Sequence, residues 1–189
     1  MTSHQSSVGN RASTDHGALI TDPFPRTHED YMRLALREAE RAAEAGEVPA
    51  GCLIVNTAQG RAMPAGAAIG RAHNQTELLK DPTAHAEVLA ITQAAAALGD
   101  WRLTDTILYV TKEPCAMCAG AIVLARIPLV VYGVADPQRG GAESVFKILN
   151  HPNLNHRCDI VSGVLADDCR SILREFFRQR RLSASPTHC

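Results

Sequence analysis

The sequence predicts an α/β domain on a mixed five-stranded sheet, an antiparallel hairpin followed by parallel strands, flanked by helices. Three observations carry this. From about residue 27 onward, short apolar runs alternate with segments of helical periodicity. The first two runs are joined by a glycine-rich connection, as in a hairpin. The later runs are separated by helix-length segments, as parallel neighbours require. There is no internal repeat and no sign of a second domain.

The elements follow in order. "THEDYMRLALREAERAAEAG" is a helix: Thr27 and Asp30 resemble a capping box, and Gly46 can close it. Met32, Ala35, Leu36, Ala39, Ala42 and Ala43 form its apolar stripe. "VPAGCLIVN" is a strand, and "GRAMPAGAAIGRAHN" returns antiparallel to it through an irregular turn. "DPTAHAEVLAITQAAAALGD" is a second helix, with Thr83 as its cap and Val88, Ile91, Ala95 and Leu98 on one face. "TDTILYVT" is a strand. "CAMCAGAIVLAR" is a helix apolar nearly all round, hence buried. "PLVVYGV" is a strand, "SVFKILN" a short helix, "DIVSGVL" the last strand and "ADDCRSILREFFRQRR" the final helix. In that helix, Leu165, Cys169, Ile172 and Phe176 make a core-like stripe.

Of the 189 residues, 46% are hydrophobic and 21% charged, ordinary for a soluble fold. No apolar run reaches the ~20 residues of a membrane span. Residues 1–26 are polar and Ser/Thr-rich and lack the apolar core of a secretory signal, so a disordered extension is expected there. Residues 183–189 are expected to be a flexible tail, leaving 27–182 as the domain. With six cysteines and one close pair, a disulfide framework is not indicated and a reducing cytoplasm is. The formal net charge of −1 does not mark a nucleic-acid binder, though it leaves room for a local basic patch.

The chemistry sits in two places. In "TAHAEV", His85 precedes Glu87 by two; in "EPCAMCAG", Cys115 and Cys118 lie three apart after Pro114. Zinc takes thiolates and imidazoles, and a catalytic zinc keeps three protein ligands with one position open to water. Cys-x-x-Cys at a helix start puts both sulfurs on one side, where the helix N-terminus favours thiolate. A carboxylate beside a zinc-bound water can move its proton. Alone, the Cys pair also fits a redox centre, or half of a structural zinc site completed by His85 and another histidine. Together and in this order, the two motifs point to catalytic zinc.

His-x-Glu followed by Pro-Cys-x-x-Cys is the signature of the zinc nucleobase deaminases. The chain further resembles the bacterial tRNA-specific adenosine deaminases, through "EVPAG", "DPTAHAE", "TILYVTKEPCAMCAGAI", "NHPNLNH", "VLADDC" and "FFRQRR", spread from about residue 28 to residue 181. The resemblance implies a three-layer cytidine-deaminase-like fold and one Zn²⁺ per subunit, held by His85, Cys115 and Cys118. It implies Glu87 as proton shuttle in hydrolytic deamination of adenosine to inosine at the first anticodon position. It also implies a homodimer acting on the tRNA anticodon loop in the cytoplasm, without organic cofactor or membrane. Helix 115–126 is then a candidate interface, or plain core.

Substrate contacts are carried over the same way. Asn74 matches a position that hydrogen-bonds the purine, or is a turn residue. Ala86 lies between ligand and shuttle, against the substrate. Asp136 matches a position near the ribose, or caps its loop. His151, Asn155 and His156 face the RNA, or stabilise an Asn/His/Pro loop. Phe177, Arg178, Arg180 and Arg181, with Arg170 and Arg174, suit phosphate neutralisation and stacking. Arginines at a helix C-terminus also suit its dipole. Phe176 is assigned to packing. Cys52, Cys158 and Cys169 are expected to be buried thiols and Cys189 a terminal one. The hairpin 56–74 is longer than the family's usual one. Two further functions stay open: a deaminase of free guanine or cytosine, and a zinc-stabilised RNA-binding protein without catalysis.

Overall fold

The computed structural model describes residues 27–58 and 63–184. The expected extension 1–26, the hairpin tip 59–62 and residues 185–189 with Cys189 lie outside the described residues. The elements are α1 (His28–Glu44), β1 (Gly51–Asn56), β2 (Ala68–His73), α2 (Thr76–Leu79), α3 (Ala86–Leu98), β3 (Thr106–Lys112), α4 (Ala116–Leu124), β4 (Leu129–Val134), β5 (Asp159–Ser162) and α5 (Ala166–Ala184). The last two residues of α5 thus fall within the expected tail.

The sheet order is β2-β1-β3-β4-β5. β1 pairs antiparallel with β2 and β3, whereas β3–β4 and β4–β5 are parallel, the mixed sheet expected. Helices cover both faces. Side chains along β1 alternate between two cores: Cys52 and Ile54 pack with α3 and α4, Leu53 and Val55 with α1. Burial on both sides explains why these strands read as unbroken apolar runs. Gly51 and Gly70 let the helices sit close: an added Cβ would strike the Ala35 carbonyl of α1 or the Ala90 carbonyl of α3.

α1 begins with the predicted capping box between Thr27 and Asp30. α3 meets the sheet through the small residues Ala86, Ala90 and Ala94, while Ile91, Ala95 and Leu98 pack along the edge. α4 is buried on one side only: Ile122 and Cys118 are inside, but Leu124 is 73% exposed. Complete burial was the expectation for this helix. Its outer face is apolar and open, because no described element covers it. Cys52, Cys158 and Cys169 are buried free thiols, as expected.

Two local expectations fail. Residues 144–150 form turns and no helix. The N–H groups of Glu143 and Ser144 donate to the Glu113 carboxylate at 2.8 and 2.9 Å, and those of Val145, Phe146 and Ile148 donate back to the Gly140 and Gly141 carbonyls, so the segment is tied into a loop and makes no helical ladder. The four-residue α2 was not foreseen. Its Leu78 N–H donates to Glu47 Oε1 at 2.7 Å, another tie invisible to local periodicity.

Candidate active site

Two helices present their first residues to one point. His85 is the N-cap of α3 and Cys115 the N-cap of α4, and neither side chain caps its helix. Thr83, the expected cap, bonds Asp81 instead, through its Oγ1 at 2.7 Å. The cap position is taken by a residue whose ring is turned to the cysteines. His85 Nδ1 lies 3.6 Å from Cys115 Sγ and 3.4 Å from Cys118 Sγ. All three ligand atoms lie within 4.8 Å of one another.

These distances fit zinc. Tetrahedral bonds of roughly 2.3 Å to sulfur and 2.05 Å to nitrogen place sulfur and nitrogen about 3.5 Å apart. The donor set, one imidazole and two thiols, is that of a three-ligand catalytic zinc. Its protonation also suits a cation. The Cys118 hydrogen bond, helped by His85, holds the Cys115 thiol down at about 3. The same bond and burial push Cys118 up. A thiolate favoured at Cys115 is the form a cation would bind. The hydrogen bond to Cys115 raises His85 above its ordinary value.

Glu87, on the first turn of α3, lies outside the ligand triad and lines the same cleft, whose volume is about 240 Å³. It is 5% exposed, and burial raises its pKa above the usual carboxylate range. A carboxyl shifted in this direction takes up a proton more readily than a solvated one, as a shuttle requires. Asn74 lines the cleft and is pinned: Nδ2 donates to Glu47 Oε2 at 3.2 Å, and Oδ1 accepts from Thr76 Oγ1 at 3.2 Å. Ala86 is fully buried behind the triad. Because it opens α3, its backbone N–H has no acceptor within the helix.

Glu113 fixes the cysteine loop. Its carboxylate accepts from the N–H groups of Asp136, Glu143 and Ser144 and from the Ser144 hydroxyl. Burial opposes its charge, but these donors together hold the carboxyl below its ordinary value. Gly140 passes so close that a Cβ would strike this carboxylate, and it bridges Cys115. Asp136 caps its own loop, accepting from Gln138 and Arg139 N–H, and binds Lys112 Nζ at 2.5 Å. It is not among the residues lining the cleft, whereas Lys112 and Arg139 are.

The MafB19-like deaminase family model matches residues 26–181. A tRNA-specific adenosine deaminase of Streptococcus pyogenes serotype M18 (strain MGAS8232) is 48% identical over 160 residues, covering 84% of this chain and 96% of the relative. The Bacillus subtilis (strain 168) tRNA-specific adenosine deaminase is 45% identical over 153 residues, 81% of this chain and 90% of the relative. The chain belongs to the tRNA-specific adenosine deaminase family. A solved chain from work on A-to-I editing by tRNA:A34 deaminases at the wobble position superposes with a TM-score of 0.70 at 42% identity, over 76% of this chain and 99% of that one.

In this deaminase the remaining sequence-derived residues fall in two groups. Arg180 reaches the cleft: its guanidinium donates to the Gly46 carbonyl at 2.6 Å and stands 5.2 Å from the Phe176 ring centroid. Phe177, Arg178 and Arg181 lie with Arg170, Leu173 and Arg174 on the outer face of α5. Arg178 is paired with Glu175, at 2.7 Å. None of the loop residues His151, Asn155 and His156 lines the cleft. His151 Nδ1 accepts from Asn153 N–H at 3.3 Å, Asn155 Oδ1 accepts from Arg126 at 2.6 Å, and His156 Nε2 donates to the Ile127 carbonyl at 2.8 Å. Sequence reasoning assigned no role to Glu47, Lys112, Glu113 or Arg139. "EVPAG" and "EPC" carried the two glutamates, but burial of a charge leaves no local pattern.

Proposed function

We propose that the chain is a zinc-dependent hydrolytic deaminase converting adenosine to inosine at the wobble position of tRNA, with 27–182 as the catalytic unit. The observation that carries this is a buried carboxylate, Glu87, in the same cleft as a His/Cys/Cys triad of zinc-like spacing, in a chain 48% identical to a tRNA-specific adenosine deaminase.

His85, Cys115 and Cys118 would hold the zinc ion. When bound, zinc supplies a water acidified to a pKa of roughly 7. Glu87 would take a proton from the water that adds to C6 and deliver it to N1. It carries the second water proton to the amino group, which leaves as ammonia. Atoms balance: adenosine and water give inosine and ammonia. Asn74 holds the base edge, and Ala86 offers its N–H at the pocket floor. Asp136 orders the Lys112–Arg139 side of the mouth near the ribose. Arg180, Arg178, Arg181 and Phe177 meet backbone and bases of a splayed anticodon loop, the RNA form whose base can enter such a cleft.

The enzyme acts as a cytoplasmic homodimer, with one zinc per subunit. Support comes from the open apolar face of α4, where Met117 and Leu124 are exposed, and from exposed Val145 and Phe146 in the turn after Gly141, whose N–H bonds the Pro114 carbonyl. The partner's His151 and Asn155 loop would then extend the RNA surface. Among the described residues, no helix is long and apolar enough to cross a membrane.

Glu87→Ala tests the reading. The variant is expected to keep zinc and tRNA binding while losing inosine formation. Unchanged inosine formation, or a wild type that binds tRNA without turnover, contradicts it.

A further inference from the structure

The turn that ends α1 is tied into the cleft at several points. Gly46, at φ +75°, closes the helix, and its carbonyl accepts from Arg180. Glu47 follows, and its N–H donates back to the Ala42 carbonyl at 2.8 Å. Its side chain is only 2% exposed, unusual for a charged group. Both carboxylate oxygens are committed. Oε1 accepts the Leu78 N–H at 2.7 Å, and Oε2 accepts from Asn74 Nδ2 at 3.2 Å.

An ionised carboxylate can only accept hydrogen bonds, whereas an asparagine amide can present either end. Asn74 must therefore turn its NH2 toward Glu47. Its oxygen then faces Thr76, whose hydroxyl donates to it. What remains for a ligand is fixed: one lone pair on Oδ1 and one N–H on Nδ2. We infer that Glu47 is a positioning residue for base recognition, setting the direction and hydrogen-bonding polarity of the Asn74 amide that faces the substrate. The inference rests on the reading that Asn74 meets the base. An amide held this way presents an acceptor beside a donor, the pattern that matches the amino and ring-nitrogen groups of adenine. Released, the amide can flip and lose that match. Arg180 joins the arrangement from α5, steadying the Gly46 carbonyl next to Glu47. The C-terminal helix and the base-reading residue thereby share one turn.

A double-mutant cycle tests this on a stem-loop with adenosine at the wobble position, using full-length, zinc-loaded protein and kcat/KM normalised to bound zinc. Glu47→Gln keeps size but puts an NH2 where an acceptor stood. It is expected to lower kcat/KM about 10- to 100-fold, the scale of a misaligned contact, with zinc content unchanged. Asn74→Ala should cost at least as much. The double variant should match Asn74→Ala, because residues acting as one unit are not additive. Glu47→Asp, which keeps the carboxylate, should recover part of the loss, and it takes the place of Glu47→Gln in the cycle if that variant does not fold. Losses that multiply, or full activity in Glu47→Gln, overturn the inference. A wild type that makes no inosine on this substrate is a different outcome, the failure of the wobble reading itself. Normal activity in Asn74→Ala removes the base contact on which the inference stands.

Discussion

The His/Cys/Cys end of the cleft and the outer face of α5 are built in opposite ways. At the His/Cys/Cys end, His85 and Cys115 sit on helix N-caps, and the cysteine loop is held by a buried glutamate with four donors. On α5, Phe177 is 43% exposed and Arg178 is spent on a surface pair with Glu175. One region places atoms; the other presents charge and a ring to solvent. Changes at the first should therefore act nearly all-or-none, and changes at the second should be graded and salt-dependent.

The sharpest break is Cys118→Ala, which removes a ligand. It should abolish zinc retention and inosine formation together, as read by metal analysis and a tRNA assay. Next is Glu87→Gln, which keeps shape and removes the proton carrier. A fall in kcat of about 10²–10⁴-fold at constant zinc is expected, the usual weight of general acid–base help.

Glu113→Gln should act on stability first. It loses one acceptor oxygen among four donors, a cost of about 2 kcal/mol by thermal unfolding at neutral pH. The pH sign follows from the lowered carboxyl. A group whose folded pKa lies below its unfolded value stabilises above the unfolded value and loses that contribution as pH falls through the folded one. The wild-type advantage over Glu113→Gln should thus be full above about pH 5 and shrink in more acid solution. An advantage that instead grows on acidification would show that the carboxylate is not what the loop binds.

The smallest effects belong to α5. Arg174→Ala should weaken tRNA binding a few-fold and reduce the salt slope by about one, as for one lost phosphate contact. Zinc content and unfolding temperature should not move. If it behaved like Cys118→Ala, the contrast between the two regions would collapse.

The same contrast governs how much could be read from sequence. The mixed sheet, the α1 capping box and the meeting of His85 with the two cysteines follow from local signals: periodicity, Thr27 with Asp30, and two short motifs. The helix expected at 144–150 failed because its first N–H, of Ser144, goes to Glu113 some 30 positions earlier, while those of Val145, Phe146 and Ile148 go to the carbonyls of Gly140 and Gly141. Thr83 looked like the cap of α3 because Ser and Thr favour that place, yet His85 occupies it to reach the cysteines. Glu47 meets Asn74 across 27 positions, and Asp136 spends its carboxylate on its own loop and Lys112. Glu113 and Glu47 are buried charges meeting distant donors, and spacing along the chain does not encode such meetings. Family resemblance supplied candidates for the RNA face, but not which of them reach the cleft. Of the C-terminal arginines singled out, Arg180 does so.

The most direct measurement sets two substrates side by side. Zinc-loaded full-length protein is given a tRNA with adenosine at the wobble position and, separately, free guanine, cytosine and adenosine, with products identified by mass spectrometry. The account predicts inosine at the wobble position only, and no turnover of the free compounds. Rapid deamination of a free base with the tRNA left unchanged would contradict it.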